Sequence, residues 1–138
     1  MSDKKPVEKV DPVKMHKEAG NLMDQGKYEE ARDIFLQTAE LYYKGQDYFD
    51  SATMYYKAGE CSFNLKDYQK ALEAFTKSAE ISLNKGFDRY GLSALEQARD
   101  CQKALGNTKE AEEITKKIDD IKKKQEADSV ESSFSVFS

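Results

Sequence analysis

The sequence predicts an all-α protein, a right-handed solenoid of three antiparallel helical hairpins. The chain has 138 residues, of which 38% are hydrophobic and 35% charged, with 22 basic against 26 acidic side chains. High but balanced charge is typical of the solvated faces of amphipathic helices. Only two Pro, seven Gly and no Trp are present, which is too little turn chemistry for a β-sandwich or barrel. The third observation is an internal repeat.

Alanines and cysteines anchor this repeat. Ala31, Ala71 and Ala111 lie 40 residues apart, each within a similar stretch of polar and apolar residues. Cys61 and Cys101 lie in a second repeated stretch with the same spacing. Two independent anchors at one spacing indicate stacked structural units. The predicted units are about 11–46, 47–86 and 87–125.

The first helix is marked at both of its ends. Asp11 is a favoured N-cap, and Pro12 fits the first helical position. Gly26 ends the helix.

The second helix is predicted over 28–44, where apolar residues recur at three- and four-residue steps. Gly45 is expected to end it in the left-handed conformation, and Gly86 does the same for a later helix. The remaining predicted helices are 48–64, 68–85, 89–105 and 108–125. Because the connections are short, neighbouring helices must run antiparallel.

Small residues are predicted where two helices approach closely. These residues are Gly20, Ala31, Gly59, Ala71, Ala98 and Ala111. The aromatic side chains predicted beside them are Tyr28, Phe35, Tyr68 and Phe75. Cys61 and Cys101, at equivalent places in consecutive units, are interpreted as small core residues.

These residues resemble the tetratricopeptide-type helical repeat. The second unit matches the pattern best, through Tyr55, Ala58, Gly59, Tyr68, Ala71 and Phe75. The third unit departs from it at Arg99, Thr108 and Thr115. The resemblance covers roughly residues 12–125, although the usual repeat has about 34 residues. It implies a superhelix whose role is to bind other proteins.

The longer period resembles one particular group of such proteins. Together with the segments 39–43 and 58–61, it is similar to the soluble NSF-attachment proteins (SNAPs) of membrane fusion. That resemblance implies an adaptor in vesicle trafficking or complex assembly, which clasps coiled-coil bundles and recruits a disassembly ATPase.

A second resemblance implies a chaperone or co-chaperone instead. Lys17 and Asn21 match two positions at which co-chaperone repeats hold the carboxylates of a chaperone's C-terminal tail. Lys57, Gln97 and Arg99 stand where the pattern has Asn and a basic pair.

Repeats of this kind bind partners in a groove lined by the first helix of each hairpin. The polar groove candidates are Lys17, Asn21, Asp24, Lys57, Glu60, Arg99 and Gln102, with Tyr56 as an aromatic anchor. The alternative interpretation is a merely solvated face. The leading prediction is a non-catalytic adaptor that holds a helical or extended partner segment.

The composition disfavours most other functions. Two Cys and one His are too few for a structural zinc site, and no cofactor is predicted. The sequence has no phosphate loop or nucleophile elbow, so no enzyme is predicted. A net charge of −4 argues against nucleic acid. Without a signal peptide or an apolar span, the predicted location is cytoplasmic.

Both ends of the chain are predicted to lie outside the repeat. Residues 1–10 are expected to be flexible, as is a Ser- and Phe-containing tail at 126–138. In this tail Val130, Phe134 and Phe137 fall at i, i+4 and i+7, on one helical face. The alternatives are an unstructured end, a docking motif for a partner or the chain's own groove, and a peripheral membrane contact. Self-association through an end face also stays open.

Overall fold

The computed structural model describes residues 10–137 and is helical throughout that range except at short joints. The helices are α1 (Pro12–Asp24), α2 (Tyr28–Lys44), α3 (Tyr48–Asn64), α4 (Tyr68–Asn84), α5 (Asp88–Ala104) and α6 (Thr108–Phe137). The predicted all-α helical-repeat solenoid is therefore confirmed, with helix ends within one residue of prediction except at the end of α6. Of the segment predicted to be flexible, residues 1–9 lie outside the described residues.

The helices form a linear stack. Within residues 10–137, the extensive contacts all join helices that are consecutive in the chain. Helices α2 to α5 each have 17 residues, so each is about 25 Å long. Because three-residue joints connect them, each helix runs antiparallel to the previous one.

Every joint repeats one turn geometry at a step of 20 residues. The residues with a left-handed backbone are Gly26, Gln46, Lys66, Gly86 and Gly106, with φ between 60° and 81°. The predicted role of Gly45 is wrong, because its φ is −80° and Gln46 takes the left-handed position instead. The amide of Gln46 donates to Tyr43 O at 3.0 Å, a bond that closes the helix end. The glycine thus stands one residue too early for this turn.

The start of α1 agrees with its sequence signals. Asp11 is the N-cap, and its carboxylate accepts a hydrogen bond from the Val13 amide at 2.9 Å. This bond satisfies one of the free amides at the helix start.

The core lies along the seams between successive helices. Phe35, Met54 and Phe75 are its largest fully buried side chains, and Cys61 and Cys101 are buried as predicted. Gly59 is a site of close approach, because a Cβ there would lie 2.8 Å from ring carbons of Phe75.

The prediction for Gly20 is wrong. A Cβ at Gly20 would meet nothing within 4 Å, whereas the preceding Ala19 is fully buried in the seam. Gly91 was not predicted, yet a Cβ there would lie 2.6 Å from Leu83 side-chain carbons. The sequence pattern does not fix which of two adjacent small residues faces the neighbouring helix.

Gly59→Ala is expected to lower the free energy of unfolding by about 1–3 kcal/mol relative to Gly20→Ala. Both variants gain the same helix propensity, but the new methyl group at position 59 overlaps the buried Phe75 ring. Urea unfolding followed by circular dichroism would measure the difference. Equal midpoints for the two variants would contradict the close contact.

Helix α6 continues beyond its predicted end near residue 125, as far as Phe137. The chain has no Gly or Pro after Gly106, so nothing in its sequence stops the helix. Its inner face carries Ile114, Ile118 and Ile121 against α5. Val130 is exposed, and the side chains of Phe134 and Phe137 lie outside the described residues. The flexibility of 126–138 and its docking role stay predictions.

Candidate functional site

A groove lies between α3 and α5, with α4 as its floor. We call it the α3/α5 groove; its volume is about 350 Å³. From α3 it is lined by Phe49, Ala52, Thr53, Tyr56, Lys57 and Glu60. From α4 and α5 it is lined by Ser78, Ser82, Tyr90 and Ser93.

Exposed aromatic rings form the mouth of the α3/α5 groove. Phe49 packs edge-to-face on Tyr90, with ring centroids 4.8 Å apart, and on Phe87 at 5.3 Å. Phe49 is nevertheless 39% exposed and Tyr90 54% exposed. Large rings that stay accessible beside a concavity are suited to anchoring an apolar side chain of a partner.

Hydroxyl groups line the deeper part of the groove. Ser78 Oγ donates to Ala52 O at 2.8 Å, and the hydroxyls of Tyr56 and Ser93 lie 3.3 Å apart. Ser82 Oγ is fully buried and has no hydrogen-bond partner within the described residues. An unpaired buried hydroxyl costs free energy, which a bound polar group would recover.

The charges in this groove balance. Lys57 and Glu60 are one helical turn apart on α3 and supply one charge of each sign. Desolvation raises the pKa of Glu60 above its ordinary value, and the Lys57 ammonium opposes part of that rise. The groove therefore offers an apolar, aromatic surface with hydroxyl groups and without a strong net charge.

Three of the eight predicted groove residues meet here, namely Tyr56, Lys57 and Glu60. The others do not line the groove. Lys17, Asn21 and Asp24 are exposed on α1. Arg99 Nε pairs with Asp100 Oδ1 at 3.5 Å, and Gln102 Oε1 accepts from Asn107 Nδ2 at 2.9 Å. The binding role of all eight remains a prediction.

Sequence reasoning missed Phe49, Tyr90 and Ser82. Aromatic residues near helix starts were interpreted as core, as Tyr28 and Tyr68 were. The 20-residue step between helices is the signal that could have placed them, because it superposes each groove on the next one.

A second groove lies on the opposite side of α3, between α2 and α4. We call it the α2/α4 groove; its volume is about 490 Å³. It is equivalent to the α3/α5 groove after a step of 20 residues. The matching lining residues are Leu36 with Tyr56, Glu40 with Glu60, Ser62 with Ser82 and Lys70 with Tyr90.

The two equivalent grooves differ in chemistry. Three basic and three acidic side chains line the α2/α4 groove, where the α3/α5 groove has aromatic rings and hydroxyls. Serine stands at position 62 in one groove and 82 in the other, and both hydroxyls lack a partner within residues 10–137. The preceding and following equivalent positions hold the larger Tyr42 and Gln102. A small side chain at this position leaves room for each cavity.

The cysteines and the histidine are placed for packing. Burial raises the pKa of the Cys61 and Cys101 thiols to about 11, with desolvation as the largest cause, so both are neutral at pH 7. The His16 ring lies against Phe35, with centroids 6.4 Å apart. In the described part of the chain, no group of three or more His, Cys, Asp or Glu could hold a metal ion.

None of the described helices is both long enough and apolar enough to cross a bilayer.

Comparison with known proteins gave two matches and one negative result. The tetratricopeptide repeat profile matches residues 13–84, which span α1 to α4. Among solved structures, the chain is similar to the TPR domain of Arabidopsis FLU, with a TM-score of 0.68 and 18% sequence identity. That similarity covers 78% of this chain and 90% of the other, and at this identity it shows the fold. A comparison with curated protein sequences gave no match. Because the profile matches more than half of the chain, the protein belongs to the tetratricopeptide repeat family.

Proposed function

We propose that the chain is a non-catalytic adaptor that binds a segment of a partner protein in the α3/α5 groove. Tetratricopeptide repeat domains generally mediate protein–protein interaction. The observation that carries the proposal is the pair of exposed rings, Phe49 and Tyr90, beside a cavity that contains the unpaired Ser82 hydroxyl.

The groove chemistry indicates the kind of segment. An aromatic or branched aliphatic side chain fits between the rings of Phe49 and Tyr90, where it would be removed from water. A backbone or side-chain acceptor on the same segment would take the hydrogen bond that Ser82 can donate. Because Lys57 and Glu60 balance, strong net charge on the segment gives no advantage.

The charge balance bears on the two finer roles. Capture of an acidic chaperone tail needs converging basic groups, yet Lys17 and Asn21 lie on α1, apart from the groove that holds Lys57. An apolar face of a helical partner, as in the SNAP-like role, suits the aromatic groove better. We therefore keep the adaptor as the leading proposal and the chaperone or co-chaperone as its alternative. A cytoplasmic location stays a prediction.

Panning of a phage-displayed random peptide library on the full chain would test this proposal. We expect enriched peptides to carry aromatic or aliphatic residues and to bind the chain in isothermal titration calorimetry. Replacing both Phe49 and Tyr90 by alanine should weaken their binding by about tenfold or more, because anchors of this kind dominate binding energy.

Phe63→Ala provides the matched control. Phe63 lies on the same helix as Phe49, has a similar 37% exposure and makes a similar edge-to-face pair, with Tyr68 at 5.2 Å. It does not line the α3/α5 groove. Selected peptides that bind the Phe49/Tyr90 double variant as tightly as the parent chain would refute the proposed site. A library that yields only acidic C-terminal sequences would favour the co-chaperone alternative.

A further inference from the structure

The α2/α4 groove contains a buried arginine that its own surroundings do not saturate. The Arg32 side chain is 9% exposed, and its Nε donates to Asp33 Oδ1 at 3.3 Å. Within residues 10–137, no second hydrogen bond is made by this guanidinium. The Asp33 side chain is itself largely exposed. The Nη groups of Arg32 therefore keep donors in a fork geometry that matches a carboxylate or a phosphate.

A second unsatisfied group lines the same groove. Ser62 Oγ is fully buried and lacks a hydrogen-bond partner within the described residues. Ser62 lies near the end of α3 and Arg32 near the start of α2, and the two helices are antiparallel. Both residues therefore lie at the same end of the groove, where Lys70 supplies a further positive charge. Two independent buried groups at one end thus lack an acceptor.

The rest of the groove is apolar at its floor and acidic farther along. Leu36, Ala58 and Ala74 line its middle. Glu40 lies eight positions after Arg32 on α2, which is about 12 Å along the axis. A partner helix covers the same distance in about two turns, so its side chains could meet these features in register.

We propose that the α2/α4 groove is a second binding site, which takes a helical peptide segment with a carboxylate, apolar residues one turn later and a basic residue a further turn on. The carboxylate accepts from the Arg32 fork and from Ser62 Oγ, the apolar residues cover Leu36, and the basic residue meets Glu40. Asp33 and Glu73 line the groove as well, so a doubly charged phosphate would meet more repulsion than a single carboxylate. This site is independent of the α3/α5 groove and its proposed function.

A synthetic alanine-based helical peptide with one glutamate, two leucines a turn later and one lysine a further turn on would test the site. Calorimetry with the full chain should show binding, and replacing the glutamate by glutamine should weaken it by about tenfold or more. Arg32→Lys keeps the charge and removes the fork, so it should weaken the intact peptide to a similar degree.

Ser62→Ala is the sharper variant, since removing an unpaired hydroxyl should leave the melting temperature unchanged or raise it. It should nevertheless weaken the peptide several-fold, whereas Ser82→Ala, its equivalent in the α3/α5 groove, should leave peptide affinity unaltered. The proposal is overturned if no peptide binds, if the glutamine peptide binds equally well, or if Ser62→Ala and Ser82→Ala behave alike. Displacement of the peptide by millimolar inorganic phosphate would also overturn it, because it would identify a phosphate site.

Discussion

Replacing Phe75 by alanine is expected to lower the free energy of unfolding by about 3–5 kcal/mol, the largest loss that we predict for a single substitution. Phe75 is almost completely buried where α3, α4 and α5 meet. Its ring fills the space left by the missing side chain of Gly59 and packs edge-to-face on Tyr56, with centroids 5.2 Å apart. Neighbouring small residues such as Ala71 and Ala98 cannot expand into the vacated volume.

Urea unfolding of the parent chain and Phe75→Ala would measure this loss. Phe63→Ala is again the control, because it removes the same atoms from a partly exposed site and should cost about 1 kcal/mol or less. If both variants lost the same stability, the ring of Phe75 would not have the packing role assigned to it. The Phe75 change should also reshape the α3/α5 groove, since Tyr56 lines it.

Alkaline pH is expected to destabilise the chain through its two buried thiols. Each pKa is about 11 in the folded protein and about 9 in the unfolded chain. A folded-state pKa above the unfolded value stabilises the protein fully below pH 9, and this contribution is lost as the pH rises from 9 to 11. With two pH units per thiol, the loss is roughly 3 kcal/mol for each cysteine.

The double variant Cys61→Ala with Cys101→Ala isolates this effect. Burial also raises the pKa of Tyr42 and Tyr55, but both tyrosines are present in either protein, so their effect cancels. Unfolding in urea with a reductant present, at pH 8 and at pH 11, would give the two stability differences. A pH-dependent loss as large in the double variant as in the parent would show that the cysteines are not responsible.

Sequence patterns predicted the helices well because apolar periodicity and short joints leave few alternatives. Asp11 and Pro12 marked the start of α1 correctly, and Cys61 and Cys101 were placed in the core by their equivalence. The errors at Gly45 and Gly20 share one cause. A repeat locates a position to within one residue, whereas a left-handed turn or a helix seam selects one residue and excludes its neighbour.

The grooves were harder to predict, because each combines side chains from three helices. Tyr56, Lys57 and Glu60 could be placed because they share one face of α3. The contributions of Tyr90 and Ser82 depend on how α4 and α5 pack, and an unpaired hydroxyl is visible only in coordinates. The predicted end of α6 failed for another reason, since a change in composition does not stop a helix without Gly or Pro.

The contacts between consecutive helices have a consequence for folding. Nearly every native contact joins residues close in the chain, so we expect rapid folding and fraying that proceeds one helix at a time from either end. A segment bound in either groove would touch two helices that are not neighbours in the stack. Such a segment would act as a long-range contact that the chain itself lacks, and it would join the unfolding of three helices into one event.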